Sequence, residues 1–404
     1  MRAAAILGQI GLVKLYTHYL MPEQLGKYYF YQTVSYSLNA LLFVPIDFFQ
    51  QSEVFRLGRK GCSLAGLFVF NAKILLIVGG LFAVCAVGCG FFEIALLSAL
   101  CVTMFLAVTL YASTAMKNFL NNQEDQLFVV SMLVAEIPVK LLVFWGIVKI
   151  GQAGPLSPLI ATVLSYVIVG VPVMLRARYY LGRFQGKAER VDLHEVLHFS
   201  APISLSAVLN WFQLQGYRLV LVPLGFSETV GLFATTSAIG NSGMNGAATI
   251  YQQIYLPKVY QTAGAYLGKY LRGLMIVTAF VLCVGIGLRS ELVRLLTNER
   301  FAAYGWLIAY GVLIEAGNFI IAALVVKLTL DKCTREQIKA NVVATVVVPV
   351  MFLALYQFHH LNAYTIGIPL VAAQAVVVAF LIYQSEINPW KSQRQPEEAT
   401  LSPL

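Results

Sequence analysis

The sequence predicts an all-α membrane protein with about twelve transmembrane helices in two six-helix halves. Hydrophobic residues make up 59% of the 404-residue chain and charged residues only 12%, about half the charged share of a typical soluble domain. Long apolar runs recur along the chain, each close to the roughly 20 residues that cross a bilayer. These runs lack the alternation of apolar and polar residues that marks the strands of a membrane barrel.

The apolar runs give twelve predicted spans, and Gly88–Gly90 is all that separates the third from the fourth. Arg2 leads directly into the first run without a small-residue cleavage site, so this run is expected to be a retained span. The spans lie near 2–20, 28–50, 64–88, 91–115, 127–149, 156–176, 200–223, 229–255, 271–290, 303–326, 341–358 and 363–383.

This arrangement predicts four segments along the chain. An N-terminal six-helix bundle covers 1–176, and a basic cytoplasmic linker covers 177–199. A C-terminal six-helix bundle covers 200–387. The remaining tail, 388–404, is polar and contains three prolines, so it is expected to be a disordered cytoplasmic segment.

The distribution of lysine and arginine predicts the orientation in the membrane. If the N-terminus is cytoplasmic, nineteen of these residues fall in inner loops and only five in outer loops. Because positive residues concentrate on the cytoplasmic side, both termini are expected there. The net charge of +9 is thus a sign of topology and calls for no nucleic-acid partner.

An internal repeat is indicated by two similar stretches that follow the first and seventh spans. One reads LMPEQLGKYYFYQTVS and the other PLGFSETVGLFATTSA, 205 residues further on when their glutamates are aligned. Parallel repeats related by an axis along the membrane normal are typical of transporters. Chance similarity of two apolar sequences is the alternative. The shared Glu-x-x-Gly motifs are Glu23 to Gly26 and Glu228 to Gly231.

Four cations lie inside the predicted spans: Lys14, Lys73, Lys140 and Arg218. A charge at membrane depth is costly and usually faces a bundle interior or an aqueous cavity. Together they would form a cationic lumen suited to phosphate or other anionic groups of a substrate. The alternative, which is easiest for Lys14 and Arg218, is that the side chains reach to the lipid headgroups.

Three acidic residues inside the spans are candidates for binding a coupling ion: Asp47, Glu136 and Glu315. Glu136 precedes Lys140 by four residues, a favourable spacing for a pair within one helix. Glu315 has no acidic or basic neighbour at helical spacing and is the better candidate for a titratable coupling site. Asp47 lies near the inner end of its span, where hydration is an equally good explanation.

Polar residues that recur at helical spacing predict two lumen-lining helices, the second and the seventh. The eighth span contains GNSGMNG at 240–246, which fits either a polar cavity wall or close helix packing through small residues. The polar residues predicted to line the lumen are Gln32 and Asn39 in the second span and Asn210 and Gln215 in the seventh.

The motifs of an enzyme are not found. The sequence contains no phosphate-binding glycine-rich loop, no zinc-type spacing of histidine and glutamate, and no credible catalytic triad. The chain is therefore expected not to be an enzyme, and no cofactor is predicted.

The segment Leu20–Tyr29, its counterpart Arg218–Phe233 and the two six-span halves resemble the O-antigen and capsular oligosaccharide flippases. These proteins belong to the multidrug/oligosaccharidyl-lipid/polysaccharide exporter superfamily. Arg218 matches an arginine of that family, but Tyr217 stands where the family often has an aspartate.

The resemblance implies a function in a bacterial inner membrane. It implies transport of an undecaprenyl-pyrophosphate-linked sugar repeat unit from the cytoplasmic to the periplasmic leaflet, by alternating access coupled to H⁺ or Na⁺. The implied partners are that lipid-linked oligosaccharide, membrane lipids and other membrane proteins of polysaccharide assembly. The alternatives are a cation-coupled drug exporter of the same superfamily and a membrane-embedded polysaccharide polymerase.

Overall fold

The computed structural model describes residues 2–43, 46–47, 49–50, 65–89, 94–151, 153–182, 193–262, 264–330 and 335–384. Residues 183–192 of the predicted linker and the whole predicted disordered tail, 388–404, lie outside these residues. Within the described ranges all regular secondary structure is helical, which confirms the predicted fold class.

Thirteen α-helices lie in the described ranges, and all but the eight-residue α10 have 17 residues or more. A π-helical segment, Asn39–Phe43, continues α2, and a 3₁₀ segment, Glu299–Leu307, precedes α11. The helices are α1 (Arg2–Tyr19), α2 (Pro22–Leu38), α3 (Ala65–Cys89), α4 (Ile94–Asn122), α5 (Gln126–Ile150), α6 (Ser157–Leu181), α7 (Leu193–Leu221), α8 (Ser227–Gln261), α9 (Leu267–Gly287), α10 (Arg289–Leu296), α11 (Ile308–Leu330), α12 (Arg335–Gln357) and α13 (Gly367–Gln384).

The helix surfaces are those of a multi-pass membrane protein. Large apolar side chains such as Leu76, Ile150 and Phe280 are exposed along the helices, which would make extensive apolar patches in water. By length and composition, α5, α6, α9, α12, α13 and the segment Glu299–Leu328 can each cross a membrane.

Several helices extend beyond the apolar runs that predicted them. The fourth run ends near residue 115, whereas α4 continues to Asn122, and α7 begins at Leu193 rather than near 200. The predicted outer loop around 289–300 is also folded, as α10 and the start of the 3₁₀ segment. Helices can continue past the hydrocarbon into the headgroup layer, so hydropathy alone underestimates their length.

The chain forms two compact units, Met1–Leu232 and Phe233–Leu404. In the first unit α4 packs against α2, α3 and α6, α5 packs against α1 and α6, and α2 packs against α7. In the second unit α11 packs against α9 and α13, and α12 packs against α13. The four predicted segments of the chain stay predictions.

The first turns of α2 and α8 cross so closely that their backbones touch. A Cβ atom on Gly26 would overlap the carbonyl group of Ser227, and one on Gly231 would overlap the carbonyl group of Pro22. At the offset of 205 residues Ser227 is the counterpart of Pro22, and Gly231 is the counterpart of Gly26. The contact is therefore reciprocal, as expected for a two-fold relation between repeats, and it supports the internal repeat.

This crossing predicts the effect of alanine at its two glycines. Gly26→Ala and Gly231→Ala should each destabilise the protein by about 1–3 kcal/mol, the usual cost of overpacking, although alanine favours a helix by about 1 kcal/mol over glycine. Thermal unfolding of the purified protein in detergent measures the change.

The matched control is Gly170→Ala in α6, where an added Cβ would meet nothing within 4 Å. This variant should be neutral or slightly stabilised. If the three variants unfold at the same temperature, close backbone contact at the crossing is not what requires glycine.

Candidate functional site: buried charges in each unit

The buried carboxylate of the second unit is Glu315, on α11. Its side chain accepts three hydrogen bonds from asparagine amides, all of them neutral donors. Asn245 donates to Oε1 at 2.7 Å, Asn241 donates to Oε2 at 3.1 Å, and Asn318 donates to Oε2 at 3.0 Å. With Glu315 only 8% exposed, these amides replace the water that would otherwise solvate the carboxylate.

Two glycines explain how α8 can present its asparagines to Glu315. A Cβ on Gly240 would overlap the carbonyl of Ile308, and one on Gly311 would overlap the carbonyl of Ser237. Because α8 and α11 touch backbone to backbone here, the short side chains of Asn241, next to Gly240, and Asn245, one turn further along, reach the carboxylate. Close packing is therefore what Gly240 of the GNSGMNG segment provides, and the polar cavity wall stays a prediction.

The charge of Glu315 is solvated by hydrogen-bond donors, since all three asparagines turn their Nδ2 groups toward the carboxylate. Among the ion pairs found in the described ranges none involves Glu315. The oxygens of Glu315 itself are ligands of the kind that hard cations prefer. The described residues contain no group of three or more histidine, cysteine, aspartate or glutamate side chains that would hold a metal ion.

The first unit contains a buried cluster of opposite design, in which fixed cations surround one carboxylate. Glu136 on α5 forms an ion pair with Lys117 on α4, and both are largely buried. Lys140, one turn along α5, has its Nζ 3.9 Å from Glu136 Oε2. The same ammonium lies 4.5 Å from the ring centre of Tyr166 on α6, within the range of a cation–π interaction.

A cavity of about 180 Å³ lies against this cluster. Lys117, Glu136 and Tyr166 line one part of it, and Ser113, Asn118 and Asn121 on α4 line another. The wall therefore presents an ammonium, hydroxyls and amides, which donate hydrogen bonds. Asn118, one of the lining residues, also donates from Nδ2 to both carboxylate oxygens of Asp47, at 3.0 and 3.3 Å.

Arg218, near the end of α7, is held by neutral aromatic and hydroxyl groups. Its Nε donates to Tyr217 Oη at 3.0 Å, and one of its terminal amino groups donates to Thr33 Oγ1 on α2 at 3.4 Å. The guanidinium carbon lies 4.9 Å from the ring centre of Tyr29. Tyr217 thus occupies a hydrogen-bonding position beside the arginine but supplies no negative charge.

The hydrogen bonds and ion pairs just described do not include the other predicted lumen residues. Lys14 on α1 and Lys73 on α3 are exposed, while Asn210 and Gln215 on α7 are half-buried. On the second helix the two predicted polar residues make hydrogen bonds: Gln32 donates to Tyr28 Oη at 3.1 Å and Asn39 donates to the carbonyl of Ala107 at 3.4 Å. Their assignment to one lumen stays a prediction.

Lys117 is the functional candidate that the sequence interpretation missed, because it was counted among the inner-loop cations. The apolar run of the fourth span ends two residues before it, although α4 continues. The signal that could have found it is the polar stripe Ser113, Lys117 and Asn121, which repeats every four residues.

Comparison with known proteins supports the fold class. No protein-family model matches the chain, and no curated protein matches it either. Solved structures do match. An inward-facing multidrug resistance MATE family transporter of the MOP superfamily has a TM-score of 0.63 at 14% identity, covering 95% of this chain and 94% of that one.

Two further structures match along almost the whole chain. The eukaryotic MATE transporter AtDTX14 has a TM-score of 0.57 at 14% identity, covering 95% of this chain and 91% of that one. A MOP superfamily transporter from Pyrococcus furiosus Vc1, whose binding pocket of reverse polarity suggests a different function, has a TM-score of 0.57 at 12% identity, covering 95% and 93%. The chain therefore has the fold of the MATE transporters.

The ion cluster of the first unit, Lys117, Glu136 and Lys140, predicts that substitutions at its members lower the stability of the protein by different amounts. Glu136→Gln should destabilise the protein by about 3–5 kcal/mol, because it leaves buried ammonium groups without their carboxylate. Lys117→Met should cost clearly less, because Lys140 remains beside Glu136. Chemical or thermal unfolding in detergent measures both values.

The double variant Lys117→Met with Glu136→Gln completes the test as a double-mutant cycle. It should be more stable than Glu136→Gln alone, because one of the two unpaired ammonium groups is gone. Additive costs in the double variant would contradict a direct pair.

Proposed function

We propose that this chain is an ion-coupled membrane transporter in which Glu315 binds the coupling ion. The observation that carries the proposal is a buried carboxylate that is hydrogen-bonded by three neutral amides and belongs to none of the ion pairs of the described ranges. A proton or Na⁺ that reaches this group would neutralise its charge, and departure of the ion would restore it. The fold shared with MATE transporters supports transport as the activity.

The same reasoning favours Glu315 over Glu136 and Asp47 as the coupling residue. Glu136 is already neutralised by Lys117 and lies beside Lys140, so a proton or Na⁺ would have to compete with fixed cations. Asp47 is half-buried, less enclosed than Glu315, and both of its oxygens accept from Asn118. A coupling ion binds best to a carboxylate that the protein solvates with neutral hydrogen-bond donors but does not pair with a fixed cation.

For the substrate, the solved structures favour export of drug-like compounds, since the matching proteins include multidrug resistance transporters. A lipid-linked oligosaccharide flippase is the second candidate, and the cations favour it. Lys117 and Lys140 lie within one cluster, and Arg218 lies among neutral partners. A binding site for organic cations needs acidic side chains, whereas a binding site for a diphosphate needs basic ones.

We place the protein in the bacterial inner membrane with both termini in the cytoplasm. Without the buried Lys117, eighteen of the nineteen inner basic residues remain, against five outer ones. In this setting the proposed coupling ion is H⁺ or Na⁺, no cofactor is required, and membrane lipids are the immediate partners. A flippase would also work beside other membrane proteins of polysaccharide assembly.

Two assays on the same strain separate the substrate classes. Deletion of the gene should raise sensitivity to cationic dyes and antibiotics if the chain exports drugs. If it moves a lipid-linked oligosaccharide, deletion should instead make repeat units accumulate on the cytoplasmic face, and drug sensitivity should not change. Normal results in both assays would contradict both substrate classes.

The coupling role predicts the behaviour of Glu315→Gln. Transport by this variant in proteoliposomes should lose its dependence on an imposed H⁺ or Na⁺ gradient, because glutamine keeps the shape and one accepting oxygen but carries no charge for an ion to neutralise. Asn245→Ala, which removes the shortest of the three hydrogen bonds, should weaken the dependence without abolishing it.

The control is Glu291→Gln, at an exposed carboxylate on α10, which should respond to the gradient like the wild type. A Glu315→Gln variant with unaltered gradient dependence would rule out this residue as the coupling site.

A further inference from the structure

The hydrogen bonds around Glu315 continue beyond the carboxylate to a further helix. Asn318, one turn along α11, donates to Glu315 Oε2 at 3.0 Å, and its own Oδ1 accepts from Gln374 Nε2 at 3.3 Å. Gln374 lies on α13, which packs against α11. These three side chains, the amide relay, therefore join the candidate coupling residue to a different helix.

Gln374 is buried with only one half of its amide in a hydrogen bond. The residue is 2% exposed, and its Oε1 has no hydrogen-bond partner among the described residues. The side chain lies directly on Gly317, because a Cβ atom on that glycine would come within 2.9 Å of Gln374 Cβ and Oε1. Since a buried oxygen without a donor is costly, its place at the end of the relay calls for an explanation.

A proton on Glu315 would change what the carboxyl group needs from its neighbours. An ionised carboxylate only accepts hydrogen bonds, whereas a protonated carboxyl group also donates one. All three asparagines turn their Nδ2 groups toward Glu315. A protonated Glu315 would therefore find no acceptor among the amides that solvate it unless one of them reversed.

The asparagine that can reverse together with a second helix is Asn318. Asn245 Oδ1 accepts from Thr249 Oγ1 at 3.4 Å, but both of these residues lie on α8. Asn318 is joined instead to Gln374 on α13, whose amide can present either its nitrogen or its oxygen. The terminal torsions of asparagine and glutamine are broad and roughly two-fold, so each amide can turn over within the space it occupies.

We propose that the coupling ion is a proton and that its binding to Glu315 reverses the side-chain amides of Asn318 and Gln374 together. The proton forms an O–H group at Oε2, which donates to Asn318 Oδ1. Asn318 Nδ2 then donates to Gln374 Oε1, the atom without a partner in the ionised state, and Gln374 Nε2 gives up its bond to Asn318. Because Gln374 exchanges one unpaired atom for another, the proton decides which arrangement is adopted.

The inference makes Asn318 and Gln374 positioning residues that transmit the ionisation state of Glu315 from α11 to α13. For its role in transport it rests on the proposed function. Na⁺ suits the same place less well, because hard cations are held by several oxygen ligands. The side-chain oxygens of Asn245 and Asn318 already accept from Thr249 and Gln374, whereas a proton needs a single oxygen.

Other ionisable groups on the elements that pack around Glu315 have separate positions or partners. Tyr310, on the same helix, packs against Gly367, and Tyr251 donates to the backbone carbonyl of Tyr270. The other charged residues described on α8, α9, α11, α13 and the 3₁₀ segment lie in the first or last two turns, and none is found in an ion pair with Glu315. They are Glu228, Lys258, Lys269, Arg272, Glu299, Arg300 and Lys327.

The test follows the side-chain amide of Gln374 by nuclear magnetic resonance in the full-length chain, labelled with ¹⁵N-glutamine and purified in detergent. The signal is identified by its loss in Gln374→Met. As the pH is lowered, the amide protons of Gln374 should move upfield, because Nε2 loses its hydrogen bond to Asn318. Glu315→Gln should abolish this shift, because no carboxylate is left to take up the proton.

Asn318→Leu separates the relay from the direct electric field of Glu315, which can still be protonated in this variant. It should remove most of the shift at Gln374. Gly317→Ala is a second variant with the same expected result, because its added Cβ displaces the Gln374 side chain. It serves if Asn318→Leu does not fold. The matched control is Gln384, which is exposed at the end of the same helix and should not respond with Gln374.

Three results would overturn the proposal. One is a Gln374 signal that does not move with pH in the wild type, and another is an equal shift in the wild type and in the two relay variants. The third is a response to sodium chloride at constant pH, with choline chloride as the reference, in place of a response to pH. An upfield shift that needs both Glu315 and Asn318 supports it.

Failure of this inference and failure of the proposed function give different results. If the gradient dependence of transport survives in Glu315→Gln but Gln374 responds to pH through Asn318, the coupling proposal is wrong and the relay stands. If the gradient dependence is lost in Glu315→Gln but the Gln374 signal does not respond, the coupling proposal stands and the relay is wrong.

Discussion

The architecture depends on the places where two helix backbones approach without side chains between them. In a bilayer, lipid tails are as apolar as leucine side chains, so apolar surface alone does not drive helices together. Close backbone packing at small residues is what remains, and the structure uses it at Gly26 and Gly231 in the first unit and at Gly240 and Gly311 in the second. A single methyl group at any of these positions would separate the helices.

These glycine contacts also determine which polar groups can meet. Asparagine is short, and its amide reaches the next helix only when the backbones nearly touch. Because Gly240 brings α8 against α11, Asn241 and Asn245 lie within hydrogen-bonding distance of Glu315. Packing and the candidate ion site are therefore one feature, since a larger residue at Gly240 would move the donors away from the carboxylate.

The fold could be predicted from the sequence because the bilayer imposes a simple rule on it. Each span must be long and apolar, and hydropathy detects such runs well enough to find twelve long helices. Helix ends were less predictable, since α4 continues for two turns beyond its apolar run. That continuation contains Lys117, so a residue assigned to an aqueous loop is in fact buried against Glu136.

Glu315, Glu136 and Lys140 could be predicted as candidates from the sequence, but Lys117 and the pairing of these residues could not. Glu315 stood out because a lone acid in an apolar span has no local explanation, and Glu136 and Lys140 stood out by their spacing. The tertiary contacts of these residues could not be predicted from the sequence. Asn241 and Asn245 precede Glu315 by about seventy residues, and nothing in their spacing indicates that they solvate it. In the same way, the helical spacing of Glu136 and Lys140 concealed the closer partner on a neighbouring helix.

The two buried carboxylates show how one residue type can serve opposite purposes in a medium of low dielectric. Glu136 is paired with the ammonium group of Lys117, so its charge is permanently balanced. Separating the two groups would be costly, because each would be left buried and unpaired. Glu315 is solvated by dipoles that carry no net charge, so its own charge is not balanced by any of the ion pairs in the described ranges. A site that must bind and release a cation needs the second arrangement, because a fixed lysine would occupy the place of the ion. The amides around Glu315, more than the presence of a buried acid, thus make it the better candidate for the proposed coupling site.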